Sequence, residues 1–214
     1  MIDYKAVIFD LDGTILDSLN VWKEVDKQFF KLKGINMPVD YKKNIKSMSA
    51  LEAATYTKNL FGLEETEEEL IQLWTKLAYD YYKDKVTLKP GALEYIMYLK
   101  QNGVKMAVAT ACEQQLYEVC LKKHKIYDFF DVIVDTKMAG YGKQQPNVYN
   151  LCLEKLGLEP KDVIAFEDII EAVKTLKKIG IKVYAVYEQN GFENLDELIK
   201  ESDEYITDFR EMIE

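Results

Sequence analysis

Several things are scarce in this chain. Its 214 residues hold three cysteines and one histidine, too few for a disulfide framework or a structural Cys/His zinc site. Cys112, Cys120 and Cys152 are unevenly spaced with no CxxC pair, which predicts reduced thiols and a cytoplasmic protein. No apolar run approaches the ~20 residues needed to span a bilayer. Met1–Phe9 has neither the basic start nor the small-residue cleavage site of a signal peptide. Positive charge is in the minority, with 28 Lys and Arg against 37 Asp and Glu and a formal net charge of −9. Without a Lys/Arg-rich block, that balance excludes the electrostatic footprint of a nucleic-acid or membrane binder. The single histidine, His124, sits at the polar end of a predicted helix. No Ser/His/Asp or Cys/His constellation can be built from it.

Apolar residues, by contrast, are plentiful at 48%. That supports a packed core in one domain, or one domain plus a small extra. Five short runs read as strands buried on both faces: Ala6–Phe9, Val104–Ala109, Val132–Val134, Val163–Phe166 and Val183–Val186. The first begins almost at Met1. Between them, Leu93–Gln101, Gln115–Lys123, Val148–Leu156 and Ile170–Lys178 read as helices. Gly103, Gly157 and Gly180 follow three of these, where a left-handed residue closes a helix. Continuous apolar strands alternating with helices predict a doubly wound parallel α/β sheet.

One interval breaks the alternation. From Ser18 to Lys85 the periodicity is helical. Ser18 is placed to cap a helix whose stripe includes Val21, Trp22, Val25, Phe29 and Phe30. Ser49 with Glu52, and Thr66 with Glu69, match the capping-box spacing. The acidic run Glu64–Glu69 suits the positive end of a helix and reads as a solvated face. The division expected is a core of residues 1–16 and 86–214, with a helical subdomain of residues 17–85 inserted after the first strand.

Chemistry concentrates at the strand ends. Asp10-Leu11-Asp12-Gly13-Thr14 follows the run Ala6–Phe9, and its four specified positions would match by chance in about one such chain in several hundred. Two carboxylates two residues apart on extended backbone point the same way, roughly 6.6 Å apart along the chain. A phosphoryl group fits between one that attacks and one that handles a proton. Glu167-Asp168 follows the run Val163–Phe166. Alone, Asp168 reads as an N-cap with Glu171 three residues on. With Asp10 and Asp12 it reads as part of one cluster beyond the carboxyl ends of a parallel sheet. Crowded carboxylates beside phosphate point to Mg²⁺. Thr110 ends a strand and is expected to open a helix whose first N–H groups, with that of Ala111, receive phosphate oxygens. Lys143 lies in a glycine-bearing loop ahead of a helix with Pro146 near its start.

Taken together, Asp10-Leu11-Asp12-Gly13-Thr14, Thr110, Lys143 and Glu167-Asp168 resemble the four motifs of the haloacid dehalogenase-like superfamily, in order and across the whole chain. The branch is the one with a helical cap after the first strand, which contains phosphatases and β-phosphoglucomutases. The resemblance implies a Rossmann-like core, with Asp10 as nucleophile and Asp12 as general acid/base. It implies phosphoryl binding by Thr110, Ala111 and Lys143. Mg²⁺ would sit on Asp10, the main-chain oxygen of Asp12 and Asp168, with Glu167 close by. The chain departs from the family pattern at Ala111-Cys112, at Ile169 and Ala172, and in Lys143-Gln144-Gln145-Pro146-Asn147. No departure removes a catalytic group, but Cys112 puts a thiol near the phosphate site.

Three functions follow as expectations. The first is a magnesium-dependent phosphatase of small phosphorylated metabolites, expected to be a monomer. The second is a sugar-phosphate mutase of the β-phosphoglucomutase type. Against it, the histidine and arginine that select the sugar phosphate in those caps fall at Trp22 and Ala50. The third is a receiver-type signalling domain, which shares the ingredients but places its phosphorylated Asp after the third strand and has no helical insertion. In the cap, Trp22, Lys43, Lys46 and Ser47 are candidates to face the substrate.

Overall fold

The computed structural model describes residues 3–189 and 194–213. Met1 and Ile2 lie outside the described residues, and the first strand, β1 (Ala6–Phe9), starts beyond them. A two-residue strand β2 (Leu16–Asp17) leads into four helices, α1 (Leu19–Lys33), α2 (Tyr41–Ile45), α3 (Ala50–Phe61) and α4 (Glu67–Asp84). The chain returns through β3 (Thr87–Leu88), which pairs antiparallel with β2. It continues as α5 (Ala92–Gln101), β4 (Lys105–Thr110), α6 (Gln114–Lys123), β5 (Val132–Asp135), the short α7 (Thr136–Ala139) and α8 (Asn147–Leu156). It ends with β6 (Val163–Glu167), α9 (Ile170–Lys178), β7 (Lys182–Val186), α10 (Leu195–Glu201) and β8 (Glu204–Ile206).

The six long-range strands form one parallel sheet in the order β5-β4-β1-β6-β7-β8. The α/β expectation holds, with β8 as a sixth strand that its mixed sequence, Glu204-Tyr205-Ile206, did not announce. β1 shows why its sequence is apolar throughout. Val7 and Phe9 pack with α5 and α6 on one face, and Ala6 and Ile8 with α8 and α9 on the other. Phe9 and Phe166 stack at 5.4 Å, with Tyr95 and Phe209 against them. Such pairs add about 0.5–1.5 kcal/mol each beyond buried area. They fix β1 and β6 side by side immediately before Asp10 and Glu167. Because the chain runs from β1 to β4 and β5, then crosses back to β6, the strand order reverses beside β1. That is where parallel sheets open a crevice at their carboxyl ends.

The inserted helices share a small core of Phe29, Phe30, Tyr41, Ala54 and Leu70, while Val21, Val25, Ala78 and Tyr82 join the core under the sheet. Both capping boxes form, Ser49 with Glu52 and Thr66 with Glu69. The acidic run is more than a solvated face, since Glu65 pairs with Lys33 and Glu67 with Lys58. Gly103, Gly157 and Gly180 take positive φ as expected. Among the described residues, no helix is long and apolar enough to cross a membrane.

Candidate active site

Asp10 still belongs to the sheet through its N–H, which donates to the Phe166 carbonyl at 3.1 Å. Its carboxylate stands at the carboxyl end of β1, 5% exposed, against the Lys143 ammonium. Lys143, 3% exposed, also donates to Glu167 at 2.5 Å. Tyr149 of α8 donates to the same Glu167 oxygen at 3.0 Å. One cation is therefore buried between carboxylates from two adjacent strands.

Asp168, from the end of β6, accepts from the Thr14 hydroxyl at 3.1 Å. It does not cap the following helix. Ile169 holds the N-cap position of α9, and no side-chain cap forms there. Buried and turned to Thr14, the carboxylate is spent across the strand ends. Gly13 makes this approach possible. Its φ is +86°, and a Cβ there would overlap the Asp168 carboxylate. The glycine of the motif thus serves both a left-handed turn and a close contact.

Asp12 faces another way. Its Oδ1 accepts from the Ser18 hydroxyl at 2.6 Å and from the Tyr82 hydroxyl at 2.5 Å. Trp22 Nε1 in turn donates to the Tyr82 oxygen at 2.9 Å. Ser18 does not cap α1 with its side chain, as its position before the helix suggested: its backbone, at φ −120° and ψ −10°, is not extended as a cap requires, and its hydroxyl donates to Asp12. Tyr82 and Tyr149 were not legible as site residues, and Thr14, though part of the motif, had no role assigned. Tyr82 lies 70 residues from Asp12 on an amphipathic helix, where an aromatic residue reads as core.

Thr110 ends β4 next to β1, but it does not open a helix. α6 begins at Gln114, and the Thr110 hydroxyl accepts from the Cys112 N–H at 3.0 Å. An extra bend at Ala111–Cys112 separates strand from helix, so Thr110 does not stand at the helix N-terminus where it was expected. Thr110 and Ala111 still line the cavity, with Asp10, Asp12, Lys143 and Asp168. Burial, and then the Asp12 charge, push the Cys112 thiol well above its ordinary range. Both causes disfavour the thiolate. Of the proposed cap residues, Trp22, Lys46 and Ser47 line the same cavity, and Lys43 is exposed outside it. His124 ends α6 with Nε2 against the Val86 carbonyl at 2.9 Å, away from the cluster.

The lysine loop is tied to the inserted helices. The Lys143 N–H donates to the Ser47 carbonyl at 3.0 Å, and the Gly142 N–H to the Glu52 carboxylate at 2.9 Å. Gln144 Nε2 reaches the other Glu52 oxygen at 3.1 Å. The cavity beside this contact, lined by Lys143 and Ser47, has a volume of about 230 Å³.

The donor set fits a hard divalent cation. One oxygen each from Asp10, Glu167 and Asp168 lie within 4.8 Å of one another, all buried. Three carboxylates against one ammonium leave the cluster with surplus negative charge, and oxygen-only donors suit Mg²⁺. Burial, outweighing the opposed Lys143 charge, pushes Asp10 up to about 7. Burial and the neighbouring Asp10 and Glu167 charges raise Asp168 well above the carboxylate range.

These shifts have a sign that can be measured. In the folded chain Asp10 keeps its proton from its ordinary 3.8 up to about 7, where the unfolded chain has lost it. Without metal, the site's contribution to stability therefore fades as pH rises through that window. A divalent cation held by these oxygens would compete with protons for them. Millimolar Mg²⁺ is expected to raise the melting temperature little at about pH 5 and by several degrees at about pH 8. Asp168→Ala should erase the gain at the higher pH. A gain independent of pH, or intact in Asp168→Ala, would place the cation elsewhere.

The family model described as haloacid dehalogenase-like hydrolase matches residues 7–186. The phosphorylated carbohydrates phosphatase of Thermotoga maritima is 26% identical over 183 residues, 85% of this chain and 85% of that protein. Hexitol phosphatase B of Escherichia coli is 27% identical over 194 residues, 86% of each. In structure, CbbY of Rhodobacter sphaeroides, solved in complex with phosphate, superimposes with a TM-score of 0.83 at 19% identity. The match covers 98% of this chain and 96% of that one. The chain belongs to the haloacid dehalogenase-like hydrolases, as the order of its acidic motifs implied.

Proposed function

We propose that the protein is a Mg²⁺-dependent phosphatase of small phosphomonoesters working through an aspartyl-phosphate on Asp10. The observation that carries this reading is the Lys143 ammonium buried between Asp10 and Glu167 at the ends of β1 and β6, beside a cavity that also reaches Asp12. An Asp10 oxygen attacks phosphorus and the ester P–O bond breaks. Asp12 gives its proton to the departing alcohol oxygen. It then takes a proton from the water that attacks the aspartyl-phosphate, which regenerates Asp10 and releases phosphate. Lys143 and the Thr110–Ala111 segment hold the transferring oxygens, positioning and charge stabilisation being most of what phosphoryl transfer requires. Mg²⁺ bound by Asp10, Asp168 and the Asp12 main-chain oxygen, with Glu167 beside it, would supply the remaining positive charge. Residues 17–85 act as the cap that excludes bulk water. Ser18 and Tyr82 orient Asp12 from that side.

The acceptor of the phosphoryl group separates this reading from a mutase. Trp22 stands where mutases keep a sugar-selecting histidine, and its indole N–H is already given to Tyr82. Water is therefore the expected acceptor. With Mg²⁺ and a panel of phosphorylated metabolites, inorganic phosphate should appear in proportion to ester lost and without a bisphosphate activator. β-Glucose 1-phosphate supplied with glucose 1,6-bisphosphate should yield little glucose 6-phosphate. Isomer accumulating faster than free phosphate would make the enzyme a mutase. A stable phospho-protein that never turns over would support the receiver-type reading.

A further inference from the structure

The cap side of the cavity is walled by carbon. Trp22, Val25, Ile45, Met48, Ile71 and Trp74 line it above the phosphate end. Both indoles are held in place, Trp22 edge-on to Tyr82 at 6.2 Å and Trp74 edge-on to Phe29 at 5.5 Å. Several of the polar groups on the same wall, though not the Ser47 and Thr75 hydroxyls, are engaged with protein. Trp22 Nε1 donates to Tyr82, and the Tyr41 hydroxyl shares a hydrogen bond with Thr57 at 2.8 Å. Lys42 pairs with Asp26 at 2.8 Å, and Lys46 with Glu171 at 3.1 Å.

A polyol entering this space would give up water at each hydroxyl and meet more carbon than polar partners, and a buried hydroxyl without a partner is penalised. An apolar group of similar size loses nothing polar and buries its surface against two flat rings. We infer that the preferred substrates are phosphate monoesters of alcohols bearing a compact apolar or aromatic group, and that hydroxyl-rich sugar and polyol phosphates are turned over poorly. The inference rests on the phosphatase reading for the position of the phosphoryl group. The wall itself stands independently of the chemistry.

The test compares primary alkyl esters, whose leaving alcohols are alike, so that differences report the cavity and not intrinsic reactivity. Under Mg²⁺, kcat/KM for 2-phenylethyl phosphate should exceed that for sorbitol 6-phosphate and glucose 6-phosphate by about tenfold or more, a scale one pocket group can supply. Trp74→Leu should raise KM for the phenylethyl ester and narrow the ratio. Equal or reversed ratios in the unaltered protein would overturn the inference while leaving a phosphatase. Should no ester be hydrolysed, the phosphatase reading fails and binding decides. Quenching of tryptophan fluorescence by 2-phenylethylphosphonate would then be compared with quenching by sorbitol 6-phosphate. Binding of the phosphonate about tenfold tighter would still support the apolar site, and equal or weaker binding would overturn it.

Discussion

Asp10→Asn is expected to abolish turnover and leave the fold standing. The carboxylate sits at the end of a strand whose neighbours are fixed by the stacked Phe9 and Phe166 rings, and its own N–H is held by the Phe166 carbonyl. An amide of the same shape keeps both features and can still accept from Lys143. What it loses is the charge that the proposed attack on phosphorus needs. A fall in kcat of at least about a thousandfold corresponds to about 4 kcal/mol of transition-state stabilisation. Stability should hold or rise at neutral pH, since the change removes one of three crowded buried carboxylates. Circular dichroism and a melting curve on the same sample give the control. Activity above about a tenth of the unaltered enzyme, only ~1.4 kcal/mol lost, would show that Asp10 is not the attacking group.

How much of this was readable in advance follows from the range over which each signal acts. Asp10, Asp12 and the pair Glu167-Asp168 stood out because each follows an uninterrupted apolar strand, and strand ends in a parallel sheet gather at one edge. The strands themselves were legible for the same reason, burial on both faces. β8 was not, because an edge strand touches one neighbour and its Glu204 faces solvent. A local rule placed Ser18 as a helix cap and Thr110 at a helix start, and offered Asp168 as a cap when it was taken alone. In the fold two of those side chains, Ser18 and Asp168, are drawn off by partners brought in from elsewhere or across the motif turn, Asp12 and Thr14. Thr110 instead holds the bend that displaces the helix start. Lys143 was found by position and by the resemblance, but its burial was not announced, since the loop around it is polar. Tyr82 and Glu52 belong to long-range contacts made by the inserted helices, and no spacing rule reaches across 70 or 90 residues.

Lys143 supplies the largest expected effect on stability. Its ammonium is buried with Asp10 and Glu167 in contact and Asp168 in the same cluster. Burial alone would favour the neutral amine, yet the two adjacent carboxylates outweigh it and raise the ammonium above its ordinary range. Lys143→Met keeps most of the apolar stem of the side chain and strands three acids with no counter-charge from the protein. Breaking a buried pair in this way costs about 3–5 kcal/mol. The loss should depend on pH in a definite direction. Without the lysine the acids hold protons to still higher pH in the folded chain, so folding is favoured at low pH and loses that help as pH rises. In chelator, the destabilisation is therefore expected to be small near pH 5 and to approach the full figure near pH 8. Mg²⁺ should restore part of the stability at the higher pH by replacing the missing charge, without restoring turnover, because a phosphoryl oxygen loses its partner. Urea melts of both proteins at the two pH values, with and without Mg²⁺, read all of this directly. A cost that is equal at both pH values would mean that Lys143 matters for packing alone, and the electrostatic account of the site would fall with it.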